Sequence, residues 1–133
     1  MTAKTLVNCL QVLGITGLSQ TTSNIITVTG NSQEFYQFAS VDAARFYLDI
    51  TAVSGSGSIK FNLNERDPAT GSYFSANPGS DPIFNGTGVT GTTTTPLLST
   101  IDPLYAESYQ VAWTVTGFTS VTCSLVALLI KRT

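Results

Sequence analysis

The densest group of ionisable residues in the chain is Glu65-Arg66-Asp67, and a pair of carboxylates is the raw material of glycoside hydrolysis or of calcium binding. The surrounding pattern speaks against both. Neighbouring residues of a strand point to opposite faces, and no glycine-spaced acidic loop of the DxDxDG type is present. A solvated strand end that carries a turn is the expectation for this cluster. Asp49 stands between Leu48 and Ile50 in an alternating stretch, where an outward-facing or hydrogen-bonded carboxylate is expected. The chain contains no histidine, which removes the commonest general base and the commonest imidazole metal ligand together. Its two cysteines, Cys9 and Cys123, lie in separate apolar runs and read as small buried thiols; a disulfide has no secretory context to support it. The glycines from Gly86 to Gly91 are followed by threonines, with neither a lysine nor a helix to complete a phosphate cradle. No catalytic residue, cofactor or metal is therefore expected.

Aromatic side chains offer a different chemistry. Tyr36, Tyr47, Tyr73, Phe74, Phe84 and Tyr105 have the area and polar handles of a sugar-stacking platform. Tyrosines beside apolar strand positions more often rim a core or face another protein, and that reading is preferred.

The elements that must position these residues are strands. Arg45–Asn64 places Phe46, Leu48, Ile50 and Ala52 on one face and Arg45, Tyr47, Asp49 and Thr51 on the other. Ile59, Phe61 and Leu63 then alternate with Lys60, Asn62 and Asn64. This is the period of two of a half-buried sheet. Ser54-Gly55-Ser56-Gly57 between the two runs predicts a hairpin turn. Tyr109, Val111, Trp113 and Val115 share a second apolar face, Gly117–Ser120 predicts another turn, and Val121, Cys123, Leu125, Ala127 and Leu129 return inward. Shorter strands are predicted over Asn24–Thr29, Ser72–Ala76 and Thr92–Leu98, with 85–95 as a ribbon or extended loop. The first 20 residues are expected to form an N-terminal arm or edge strand, with a strand over Leu6–Leu13, and 21–133 the domain. Two hairpins with one apolar face each bury those faces against one another. The predicted fold is all-β: a single-domain, two-layer antiparallel β-sandwich, jelly-roll or Ig-like.

A chain of 133 residues suits one such domain. Its charged fraction of 11% is under half of the roughly 25% usual for soluble domains, and serine and threonine fill the polar positions instead. A neutral surface weakens repulsion between copies and favours packing on a protein partner. The net charge of −2 and pI near 4.7 offer no basic face for nucleic acid. Leu6–Leu18 is interrupted by Asn8, Gln11 and Gly14, and Leu125–Ile130 is too short to span a bilayer, so neither a signal peptide nor a membrane span is expected.

The stretch RFYLDITAVSGSGSIKFNLNERDPATGSYF resembles a pattern of small structural proteins of tailed bacteriophages, in which LDVTA-type and SGT-type segments precede a strand, a DPxTG-type turn and an aromatic. VAWTVTGFTSVTCSLVAL is similar to the closing segment of the same proteins. The resemblance covers about Ala44 to Leu128, and residues 1–40 have no counterpart in it. It implies a virion protein without catalytic residues, assembled in the host cytoplasm, with a capsid decoration or cement protein fitting best by size. Its partners would be the major capsid protein or other virion proteins and further copies of itself, trimers included, with no nucleic acid and no membrane. A tail, connector or head-fibre component is the alternative, and a carbohydrate-binding β-sandwich module a second. The candidate partner-facing residues are Arg45, Tyr47, Asp49, Lys60, Asn62, Tyr73, Thr92 and Thr93.

Overall fold

The computed structural model describes residues 2–8, 24–31, 41–76, 83–84, 88–93, 97–104 and 106–132. Seven strands form one antiparallel sheet: β1 (Thr2–Asn8), β2 (Asn24–Ile26), β3 (Gly30–Asn31), β4 (Ala43–Arg66), β5 (Tyr73–Ser75), β6 (Leu97–Pro103) and β7 (Tyr109–Arg132). No helix occurs among the described residues.

The two hairpins expected from the alternation are not formed. Arg45–Asn64 lies within one 24-residue strand, β4, and Tyr109–Leu129 within another, β7, and these two pair with each other from Ala43↔Ile130 to Glu65↔Tyr109. What reads as a turn is a series of bulges. Register shifts fall between Ile50 and Ala52, between Ser54 and Gly55, and between Gly55 and Ser58. Thr51, Ser56 and Gly57 of β4 are skipped in the register, as are Gly117 and Thr119 of β7. Three skipped residues are an odd number, so the buried positions of β4 change phase, from Ala44, Phe46, Leu48 and Ile50 to Ile59, Phe61 and Leu63. Two skipped residues are an even number, so β7 keeps its phase, burying Tyr109, Val111 and Trp113 and then Val121, Cys123, Leu125, Ala127 and Leu129. Gly55 (φ 89°) and Gly117 (φ 81°) supply the left-handed backbone that these bulges require.

The same waist bends the sheet. A straight strand of this length would extend about 80 Å. Yet Pro103 pairs with Ala43, Tyr109 pairs with Glu65, and Leu104 and Ser108 are hydrogen-bonded to Asp42 and Arg66. Six residue steps reach at most about 22 Å, so the two ends of β4 lie near one another and the strand folds back. The buried side chains of both halves accordingly belong to one hydrophobic cluster.

Shorter segments run along the outer edges of this central pair. Beside β7 come β1 at 126–132, β2 at 121–123 and β3 at 112–113. Beside β4 come β5 at 64–66, the Ile59↔Val89 bridge, and β6 at 43–48. Thr93 joins this edge through reciprocal backbone and hydroxyl bonds with Ile50. Most of the expected core is observed, with two departures. Ala52, assigned to the inward face, is exposed, because the Thr51 bulge precedes it; Phe118, assigned to a turn, is 7% exposed and joins the core. The arm is an edge strand over Thr2–Asn8, and its expected continuation to Leu13 lies outside the described residues, as do Gln33–Ser40, Cys9, Tyr105, 85–87 and 94–95.

Candidate functional site

Strand geometry gathers some of the candidate residues and separates others. Arg45, Tyr47 and Asp49 occupy the face of β4 opposite Phe46, Leu48 and Ile50, and each is half-buried. The Arg45 Nε donates to the Ser99 carbonyl at 3.2 Å, and the Ser99 hydroxyl accepts from the Phe46 amide at 2.8 Å, which pins β6 to β4 across the irregular register at Tyr47. One Asp49 carboxylate oxygen accepts from the Thr93 hydroxyl at 2.9 Å. That hydroxyl also accepts from the Ile50 amide at 3.0 Å. Thr93 therefore holds its own chain to β4, while its neighbour Thr92 is exposed.

Lys60 is exposed and Asn62 half-buried on the outward side of the other half of β4. Because the strand folds back with its core face inside, these two point away from Arg45, Tyr47 and Asp49, and the five do not share one surface. Tyr73 pairs in register with Arg66, and its hydroxyl lies 3.5 Å from that of the buried Ser108.

A cleft of about 530 Å³ opens at the end of β4, between Glu65, Arg66, Asp67 and Pro68 on one side and Ala106 and Glu107 on the other, with Phe74 beside them. Phe74 is 58% exposed. Asp67 is the organiser of the turn that leads from β4 to β5: its carboxylate accepts from the Ala69 amide at 2.9 Å and the Thr70 hydroxyl at 2.7 Å, and its carbonyl accepts from the Gly71 amide at 2.8 Å. The Thr70 hydroxyl, and after it the Ala69 amide, hold the Asp67 carboxyl below its ordinary pKa. The expected solvated strand end with a turn is observed. No group of three or more acidic, cysteine or histidine side chains that could hold a metal ion occurs among the described residues.

Cys123 is a buried free thiol, as expected, and burial followed by the Asp49 charge pushes its pKa up to about 12. A thiol so protonated is a poor nucleophile at neutral pH.

Two surface features escaped the sequence reading. On β7, Val126, Leu128 and Ile130 are half-buried on the outward face, opposite in phase to buried Leu125, Ala127 and Leu129. The signal was present in LVALLI, which is apolar in both phases. Ile25 and Val28, each 70% exposed, stand along the β2–β3 edge, and a three-residue strand is too short for alternation to reveal its outward side. No family model matches the chain, and neither a curated protein nor a solved structure matches it.

Proposed function

We propose that this chain is a non-enzymatic virion structural protein, a decoration or cement protein that binds a capsid as several copies and stabilises the head. The observation that carries the reading is the relation between the two segments that resemble phage structural proteins. They are distant in sequence; the first supplies most of β4 and the second most of β7, strands that pair with each other from Ala43↔Ile130 to Glu65↔Tyr109. The resemblance thus falls on one structural unit, the paired centre of the sheet, and not on unconnected strands.

The order of pairing supports a jelly roll as the finer architecture. In one half, β1, the C-terminal part of β7, the N-terminal part of β4 and β6 lie side by side. In the other half the order is β2 with β3, the N-terminal part of β7, the C-terminal part of β4 and β5. The two central lanes, β4 and β7, pass from one half to the other at the bulged waist. Two four-stranded layers related in this way make the double Greek key of a jelly roll, an architecture that serves viral capsid and lectin domains. The outward positions are mostly hydroxyl-bearing or apolar, which suits a surface that packs on protein.

The test is the heat stability of the particle. Particles assembled with the protein should withstand a higher temperature than particles without it, and equal melting would sink the cement role. Density for the chain at the tail or connector in a map of the particle would favour that alternative. A carbohydrate-binding module is favoured by one specific observation, the exposed Phe74 beside Glu65, Asp67 and Glu107 in a cleft. Ring stacking with carboxylate acceptors suits a sugar, and binding on a glycan array that Phe74→Ala or Tyr73→Ala abolishes would establish it.

A further inference from the structure

We propose that the outward face around Tyr47 is the surface through which two copies of this chain associate, about a two-fold axis lying along the cross-strand row Leu98–Tyr47–Val126. The row is given by the register: Tyr47 lies between Leu98 of β6 and Val126 of β7. Leu98 is 47% exposed, and Val126, Leu128 and Ile130 make the outward side of β7 apolar where a solvated sheet face would be polar.

Charge selects a second copy as the occupant. Arg45 and Asp49 stand two positions to either side of Tyr47 on the same face, with opposite signs. Among the described residues neither forms an ion pair; Arg45 uses Nε on the Ser99 carbonyl, and Asp49 uses one oxygen on Thr93. A two-fold along the row reverses the strand direction, so Arg45 of each copy meets Asp49 of the other while Tyr47 meets Tyr47. A two-fold along the strands would set Arg45 against Arg45 and Asp49 against Asp49. Only the first arrangement is self-complementary, as an isologous contact must be.

Eight residues of strand and four lanes give a face of about 25 by 19 Å, or roughly 500 Å² per copy. That is below the roughly 800 Å² per partner of a standard stable interface, so the dimer is a weak one, seen at about 100 µM protein and above. The proposal rests on the multi-copy part of the reading above, but it is measured on the isolated protein, so failure to bind a particle would leave it untouched.

Sedimentation equilibrium across this concentration range is the experiment. The unmodified chain is expected to reach the mass of a dimer. Arg45→Asp and Asp49→Arg, each checked for folding by circular dichroism, should each weaken self-association by roughly tenfold or more. An equimolar mixture of those two variants should dimerise again, because each then opposes charges of the other sign at both contacts. Leu98→Lys, at an exposed position, should also give monomers and serves if Asp49→Arg does not fold. A monomeric or trimeric unmodified chain, a dimer that survives Leu98→Lys, or folded variants that remain monomers when mixed would overturn the proposal.

Discussion

A β-carbon on Gly57 would overlap the carbonyl oxygen of Thr116, the residue across the waist on β7. The two backbones approach this closely because Gly57 is one of the skipped residues that let β4 and β7 bend together. Gly57→Ala is therefore expected to destabilise the protein by about 3 kcal/mol or more, since backbone has to move to accept the methyl group. Gly91→Ala, where nothing lies within 4 Å of the added carbon, should change stability by less than about 1 kcal/mol. Urea unfolding of the two variants measures the contrast, and equal effects would contradict the close approach.

Trp113 joins the core to the β2–β3 edge. It is 5% exposed, and its indole nitrogen donates to the Val28 carbonyl at 3.1 Å. Trp113→Ala should cost about 3–5 kcal/mol. Trp113→Phe keeps most of the apolar area but strands the Val28 carbonyl, for a smaller loss of about 1–2 kcal/mol. A cost under about 1 kcal/mol for the alanine variant would mean that the ring is not core.

Thr93 is expected to act as a latch on the β4 edge. Thr93→Val leaves the Ile50 amide and an Asp49 oxygen without the hydroxyl that serves both, and should cost about 1–3 kcal/mol, whereas Thr93→Ser should recover most of the loss. Amide exchange at Ile50, faster in the valine variant and near normal in the serine variant, reads the effect directly.

The inward faces of β4 and β7 were legible in the sequence, from Phe46 to Ile50, Ile59 to Leu63, Tyr109 to Trp113 and Val121 to Leu129, because burial on one side imposes the period of two. The pairing was not legible. Alternation identifies a face and not a partner, and a double bulge with glycines at positive φ looks the same in sequence as a hairpin turn. The buried phase of β4 changes at the skipped Thr51, before Ser54–Gly57, and a single skipped residue leaves no mark in the residue types. Of the candidate surface, Arg45, Tyr47 and Asp49 were legible as outward-facing. The fold-back separates Lys60 and Asn62 from them, and the local bonding of Thr93 draws it inward, neither of which is encoded in local spacing.

Two groups give the protein a pH signature. The Asp67 pKa is lowered in the folded chain, so its stabilisation is present above the ordinary aspartate pKa and is lost as the pH falls through the depressed one. Thr70→Ala removes the main cause and should bring the Asp67 titration, followed by carboxyl carbon NMR shifts, back toward the ordinary value. The Cys123 pKa is raised to about 12, so its contribution is intact below the ordinary thiol value and declines as the pH rises from there toward about 12. Stability against pH, compared with Cys123→Ala, should show that extra alkaline slope only in the unmodified chain. A Cys123 thiol that reacts rapidly with a thiol reagent at pH 8 in the folded protein would contradict its burial.

Both the proposed jelly roll and the proposed self-contact depend on β4 pairing with β7 and not with itself. Cross-strand nuclear Overhauser contacts test this most directly. The bent pair requires backbone contacts between Leu48 and Leu125, between Phe61 and Trp113 and between Leu63 and Val111, in the register found here. Those contacts, on both sides of the waist, are the expected result. Backbone contacts that instead join Ile50 to Phe61 and Leu48 to Leu63, as a hairpin closed at Ser54–Gly57 demands, would contradict it.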